Sequence, residues 1–165
     1  MALEMRTFGD PVLKTRAARV EDFDESLERL AEDMLATMRE QEGVGLAANQ
    51  VGRLKRILVA AVEDDEYVLV NPVIEEVSET TETGSEGCLS IPGIQVEVER
   101  PTGITISAQS PSGKPIRIET EGLLARIFQH EVDHLDGVLI LDRTNRASRK
   151  AAMRDWRERF LAQQS

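Results

Sequence analysis

Residues 123–137 read LLARIFQHEVDHLDG and contain both histidines of the chain, His130 and His134. Apolar residues recur at helical spacing through this stretch, which predicts a helix from Leu123 to about Asp136. Side chains four residues apart lie on one face of a helix, so both imidazoles can bind the same ion. The alternative is that two core or surface histidines share this spacing by chance.

Glu131 directly follows the first histidine. It lies about 100° round the helix, too far to be a third ligand beside the imidazoles but near enough to reach a water molecule on the ion. Structural metal sites usually close with four protein ligands, but no histidine remains and the chain has a single cysteine. The better interpretation is a site with one open position, which is typical of catalysis.

Cys88 is the candidate third ligand, in SEGCLSIPG at residues 85–93, between a polar loop and a predicted strand. Taken alone, a single cysteine in a cytosolic protein is more often a small buried apolar residue. Next to two open imidazoles, ligation is the stronger hypothesis, because a thiolate binds a borderline metal well. One thiolate with two imidazoles suits Zn(II) and also Fe(II). Gly87 would let the backbone approach the site closely.

The segment GVGLAANQ, residues 43–50, is rich in small residues and predicts a tight loop. Gly43 by itself is best explained as the end of the preceding helix. A phosphate-binding loop is a weaker interpretation, since no Lys-Ser/Thr follows and no strand leads directly into the segment. Gln50 is the informative residue, because its amide N–H can donate to a developing oxyanion.

The remaining pattern predicts one α+β domain over residues 1–165, because strands and helices are segregated along the chain. Residues 26–43 predict a helix that ends at Gly43, and a last helix is expected from about Ser148. The predicted strands follow from short apolar runs and from alternation of apolar and polar residues. They are Ile57–Val62, Tyr67–Ile74, Ile94–Val98, Ile104–Ala108, Ile116–Ile118 and a short strand at Val138–Leu141.

Charge and cysteine content limit the location and the partners. No secretory signal or membrane span is visible, and one cysteine is typical of a reducing compartment, so we expect a cytoplasmic protein. The chain has a net charge of −10, but residues 143–165 carry seven Lys/Arg against two acidic residues, a local balance of +5, so the rest carries −15. This basic segment could dock on ribosomal RNA, or it could be a solvated amphipathic helix packed through Ala152, Trp156 and Phe160.

Three blocks in this order, GVGLAANQ, EGCLS and QHEVDHLDG, resemble the peptide deformylases, which remove the formyl group from the N-terminus of new bacterial polypeptides. The family patterns G-x-G-x-A-A-x-Q, E-G-C-L-S and H-E-x-D-H are met at every fixed position. The DPVL opening, the acid-rich first helix and the GLLAR lead into the histidine helix extend the resemblance over essentially the whole chain.

The resemblance implies that Cys88, His130 and His134 bind one divalent ion, with Fe(II) favoured and Zn(II) or Ni(II) as alternatives. It also implies that Glu86 and Arg100 form a pair that orders the cysteine loop. The implied fold is a compact α+β domain in which antiparallel strands wrap around the central histidine helix. The protein is expected to act as a monomer.

In the implied mechanism a metal-bound hydroxide attacks the formyl carbonyl. Glu131 acts as general base and then as general acid. Gln50 and the backbone N–H of Leu89 hold the oxygen as it gains charge. Formate and a free N-terminus result.

The substrate of such an enzyme is an N-formylmethionyl nascent peptide, which needs an apolar pocket and an extended backbone site. The residues expected to contact it are Gly43, Val44, Gly45, Gly87, Leu123 and Ile127. Leu123 and Ile127 are also consistent with a purely structural core role. Arg126 is expected to tune what lies beyond the methionine, and Asp133 either supports a ligand or is a solvated helix residue.

Two other functions compete with this one. A zinc peptidase can use the same H-E-x-x-H pattern, but no later His or Glu stands in an obvious third-ligand context. A metal-binding or ribosome-associated module without catalysis is disfavoured by the presence of Glu131 and Gln50.

Overall fold

The computed structural model describes residues 2–164, so Met1 and Ser165, the ends of the predicted domain, lie outside the described residues. The predicted α+β class is confirmed. The helices are α1 Glu25–Glu40, α2 Leu123–Leu135, α3 Ile140–Arg143 and α4 Arg146–Gln164, with 3₁₀ turns at Pro11–Lys14 and Ala48–Val51. The strands are β1 Gly45–Ala47, β2 Ile57–Val62, β3 Asp65–Val77, β4 Thr81–Gly87, β5 Gln95–Pro101, β6 Gly103–Gln109 and β7 Pro115–Glu121.

Two antiparallel sheets make up the β structure. Five strands pair in the order β1-β2-β3-β6-β7, and β4 pairs with β5 in a separate hairpin. β1 is the edge strand of the five-stranded sheet, and β4 pairs only with β5. One edge of each of these two strands therefore has no strand partner among residues 2–164. Both strands border the same cleft.

Helix α2 packs on one face of the five-stranded sheet and α1 packs on the other. Alternation along β2 explains this, since Leu58 and Ala60 contact the α2 core while Ile57 and Val59 contact the α1 core. Phe128 is fully buried and meets Tyr67 edge to face at 5.6 Å. The continuous run from Gln129 to Leu135 is buried, so its polar side chains need partners inside the protein.

Several boundaries and elements differ from the sequence-based expectations. Helix α1 ends at Glu40 rather than at Gly43, because Glu42 takes a left-handed φ of 56°. The predicted strand Val138–Leu141 is wrong. The chain turns there into α3, and the carboxylate of Asp142 accepts the N–H of Leu139 at the start of that helix (2.9 Å).

Two predicted loops are regular structure. The polar segment before Cys88 is the strand β4, which is formed by pairing with β5 rather than by an alternating pattern of its own. The segment GVGLAANQ contains the edge strand β1 and a 3₁₀ turn.

The C-terminal helix α4 packs on the β4–β5 hairpin. Ala152, Met153 and Trp156 lie in a third core cluster, and Trp156 meets Phe8 edge to face at 5.8 Å. Phe160 is half-exposed, so of the three residues named in the packed-helix alternative only Ala152 and Trp156 lie in this cluster. Within the described part of the chain, none of the helices combines the length and apolar character of a transmembrane span.

Candidate active site

Three potential ligand atoms converge where β4 ends against α2. The Nε2 atoms of His130 and His134 lie 3.2 Å apart, and the Sγ atom of Cys88 lies 3.3 Å from Nε2 of His134. All three atoms fall within 4.8 Å of one another. Tetrahedral coordination with Zn–N and Zn–S bonds of normal length requires separations of about 3.3–3.6 Å. Two imidazoles and one thiol at these distances fit a borderline or soft divalent ion.

The two histidines differ in their surroundings. Burial lowers the pKa of His134 well below its ordinary value, so this imidazole is neutral, as a ligand must be. Burial also disfavours the charged form of His130, but Glu131, Cys88 and Glu86 together raise its pKa. The carboxylate of Glu86 lies 2.9 Å from Nδ1 of His130. This contact directs Nε2 of His130 towards the other two ligand atoms.

Glu86 is the centre of a buried charge network. Arg100 donates two hydrogen bonds to its carboxylate, at 2.6 and 2.9 Å. Burial alone would raise the pKa of Glu86, but His130 and Arg100 lower it to about 2. Arg100 also donates to Asp133 at 2.9 Å. The expected pair of Glu86 and Arg100 is therefore present, and it links the cysteine strand to the histidine helix.

Glu131 faces the cleft beside the histidines. Its Oε2 atom lies 4.0 Å from Nε2 of His130, and its Oε1 atom is buried without a hydrogen-bond partner among the described residues. Burial raises the pKa of Glu131 to about 7. Gly45 lies against this carboxylate, since a Cβ atom there would stand 2.6 Å from Oε2 of Glu131. The absence of a side chain at residue 45 keeps Glu131 accessible from the cleft.

Gln50 is fixed by its own amide oxygen. Oε1 of Gln50 accepts the N–H of Ala47 at 2.9 Å, which turns Nε2 towards Sγ of Cys88 at 3.5 Å and Oγ of Ser90 at 3.2 Å. The amide donor is therefore oriented before any ligand binds. Leu89 follows Cys88 and also lines the cleft.

A cleft of about 640 Å³ opens over these residues. It is lined by all six residues expected to contact a substrate: Gly43, Val44, Gly45, Gly87, Leu123 and Ile127. Ile127 is 5% exposed, whereas Val44 and Leu123 are 52% and 58% exposed. The core interpretation of Leu123 is therefore wrong, while Ile127 belongs to both the core and the cleft.

Some neighbours of the site were missed or left open by the sequence. Asp133 is buried and accepts from Arg100 and Arg143, which excludes the solvated alternative. Ser90 contacts Gln50, although only its place in the EGCLS block pointed to it. The guanidinium of Arg126 is engaged with protein acceptors rather than free in the cleft.

Comparison with known proteins agrees with this geometry. The family model described as Polypeptide deformylase matches residues 2–150. Peptide deformylase 1 of Corynebacterium glutamicum is 53% identical over 154 residues, which cover 91% of each chain. Peptide deformylase of Thermotoga maritima is 48% identical over 145 residues, which cover 88% of each chain.

Solved structures show the same fold. The crystal structure of the peptide deformylase from Thermotoga maritima has a TM-score of 0.86 at 47% identity, covering 88% of this chain and 99% of that one. The peptide deformylase from Legionella pneumophila has a TM-score of 0.92 at 37% identity, covering 99% of this chain and 98% of the other. Sequence and fold together place the chain in the polypeptide deformylase family of metal-dependent hydrolases.

Proposed function

We propose that the protein hydrolyses the formamide bond of N-formylmethionyl nascent peptides, with Cys88, His130 and His134 holding one divalent ion. The family supports removal of the N-formyl group from nascent peptides. The observation that carries the proposal is the convergence of these three ligand atoms with Glu131 and Gln50 at one cleft. When bound, the ion would polarise the formyl oxygen and lower the pKa of a water molecule. Fe(II) is the favoured ion, and Zn(II) or Ni(II) are alternatives.

Glu131 moves the proton in this proposal. Its unpartnered Oε1 atom and its place beside His130 suit a group that accepts a proton from water. The same carboxyl group then returns the proton to the departing amine, because an amine leaves poorly when it is not protonated.

Two donors stabilise the oxygen of the formyl group as it gains charge. Gln50 supplies its Nε2–H, which the contact between Oε1 and the N–H of Ala47 has already oriented. The backbone N–H of Leu89 is the second donor. Removing one such donor typically lowers the rate by about 10²–10³-fold.

The substrate enters as an added strand with its methionine side chain in the cleft. Val44, Leu123 and Ile127 supply apolar surface. The carbonyl of Val44 accepts the N–H of Ala61, so alternation along the strand leaves the backbone groups of Gly45 facing the open edge. Pairing with backbone at Gly45 and Gly87 gives affinity that depends little on sequence, which suits many different nascent chains.

A formate-release assay on formyl-Met-Ala-Ser, with metal analysis of the same sample, tests the proposal. We expect formate with about one divalent ion per chain, and loss of activity of the iron form in air, because thiolate and iron both oxidise. Cleavage of internal peptide bonds without formate would favour the zinc peptidase alternative. Metal binding without either reaction would favour the non-catalytic alternative. Full activity of the iron form after prolonged aerobic storage would contradict the oxidation prediction.

We propose one catalytic domain over residues 1–165 that acts as a monomer in the cytoplasm. Helix α4 is proposed to dock on ribosomal RNA through its basic face, where Arg154 and Arg157 are exposed.

Charge reversal tests the docking better than deletion of residues 148–165, because Ala152 is buried and deletion would uncover the core. Arg154→Glu with Arg157→Glu should abolish cosedimentation with ribosomes, and binding of the unaltered chain should weaken as salt rises. Formate release from a free peptide should stay unchanged. If neither salt nor the charge reversal changes cosedimentation, the proposed docking of α4 on ribosomal RNA is contradicted.

A further inference from the structure

The β4–β5 hairpin forms one wall of the cleft but is not part of the five-stranded sheet. A two-stranded hairpin is marginally stable by itself, so its position depends on what packs against it. Among residues 2–164, β4 pairs with no strand other than β5. Contacts other than strand pairing, side-chain contacts among them, therefore set the distance between the open edge of β4 and the rest of the molecule.

Arg126 supplies a set of these contacts from helix α2. Its Nη2 atom donates to the carbonyl of Glu82 in β4 at 2.8 Å, and its Nη1 atom donates to the carbonyl of Val98 in β5 at 3.0 Å. Nη1 also donates to the carboxylate of Glu86. One guanidinium thus binds both strands of the hairpin and the carboxylate that orients His130. The planar fork of arginine provides these donors in a fixed geometry, which lysine lacks.

The hairpin leaves space for this side chain. A Cβ atom at Gly84 would stand 3.3 Å from Cζ of Arg126, which is shorter than an ordinary van der Waals contact. The side chain of Arg126 is 19% exposed and its guanidinium donates to three protein acceptors, so its charge is directed at the hairpin rather than at a substrate residue beyond the methionine. If Arg126 affects the residues that follow the methionine, as the sequence suggested, it must do so without direct contact between its charge and the substrate.

Helix α2 also contacts the opposite wall of the cleft. A Cβ atom at Gly45 in β1 would meet Ile127 at 2.9 Å, and Ile127 is the residue after Arg126. The same turn of α2 thus touches β1 on one side and holds β4 on the other. An extended peptide between two strand edges requires about 9–10 Å between them. Arg126 and Ile127 contact the two strands that border the cleft from one turn of α2.

We propose that Arg126 is a positioning residue that holds the open edge of β4 at the distance from β1 that an extended substrate requires. This inference rests on the proposed function for the identity of the substrate. It assigns Arg126 an effect on the binding of the residues that follow the formylmethionine, exerted through the strand rather than by contact with the substrate.

Arg126→Met tests the inference, because methionine keeps an apolar stem in the cleft and removes the three hydrogen bonds that the guanidinium donates. In the ion-free protein, amide hydrogen exchange should become roughly tenfold faster over residues 81–101 and stay unchanged in α1. KM for formyl-Met-Ala-Ser should rise roughly tenfold, the size of one or two net hydrogen bonds, with kcat within about twofold. KM for formyl-Met alone should not change, since it has no following backbone to pair with β4.

Three further variants make the test specific. Arg126→Lys should give an intermediate rise in KM. Gly84→Ala, which displaces the guanidinium without removing it, should raise KM in the same direction by a smaller factor. Arg29→Met, an exposed arginine of α1, is the matched control and should behave as the unaltered chain.

Unchanged exchange over residues 81–101 in Arg126→Met would overturn the inference, and so would an equal rise in KM for formyl-Met and for the longer peptide. If the unaltered chain releases no formate, the proposed function fails. The exchange measurement then decides by itself whether Arg126 positions the hairpin.

Discussion

Replacing Glu131 with alanine is expected to lower kcat for formyl-Met-Ala-Ser by about 10²–10⁴-fold. The carboxylate is the proposed proton carrier, and its Oε1 atom has no protein partner among the described residues. The three proposed ligand atoms belong to other residues, so the ion content should be retained. Because an unpaired buried carboxyl group is costly, the variant should unfold no more easily than the unaltered chain.

Formate release, metal content and thermal unfolding measured on the same sample separate these effects. Glu32→Ala, which removes an exposed carboxylate of α1, is the control and should leave all three unchanged. Turnover of Glu131→Ala within tenfold of the unaltered chain would remove Glu131 from the role of base. Loss of the ion together with turnover would instead make Glu131 part of the metal site.

Replacing Glu86 with alanine is expected to lower the free energy of unfolding by about 3–5 kcal/mol, because it leaves buried charge without its partner. Arg100 is as buried as Glu86 and would lose two of its three hydrogen bonds to carboxylates. His130 would lose the acceptor at Nδ1, and loss of such a partner typically weakens metal affinity by about 10–100-fold. Both stability and ion binding should therefore fall.

Urea unfolding of the ion-free protein measures the stability effect without a contribution from the metal. Glu99→Ala removes an exposed carboxylate from the outer face of β5 and should change stability little. Glu86→Gln keeps the volume and some hydrogen bonding, so its loss should be intermediate. A loss below about 1 kcal/mol in Glu86→Ala would mean that Arg100 finds other partners and that the network is not a structural requirement.

Local sequence patterns were sufficient for most of the secondary structure. Helix α2 follows from a periodicity of 3.6 residues and strand β2 from a short apolar run, and neither pattern needs knowledge of distant residues. The prediction was wrong for a short segment for a physical reason, since four apolar residues fit a strand or a helical turn equally well. At Val138–Leu141 the hydrogen bond from the N–H of Leu139 to Asp142 favours the turn. Strand β4 was not predicted, because its polar sequence shows no alternation of apolar and polar residues. The strand forms through its pairing with β5.

Some residues of the candidate site could likewise be predicted from local sequence, and others could not. His130, Glu131 and His134 were predictable because helix geometry alone brings them together. Cys88 and Gln50 are distant in the chain, so residue chemistry made them candidates and the family motifs strengthened their assignment, but neither could place their side chains. The positions of their side chains, 3.5 Å apart, are set by the contacts of β4 and of the 3₁₀ turn after β1 with the rest of the fold.

The sequence by itself determined the α+β class, the helix that carries the two histidines, and the set of side chains able to bind a metal. Spacing along one helix and residue chemistry are local properties, so these features can be predicted without knowledge of the tertiary structure. Only the tertiary structure decided the surroundings of Glu86 and the contacts of Arg126. Their partners come from three separate elements, and burial makes each unmet hydrogen bond costly enough to specify one arrangement.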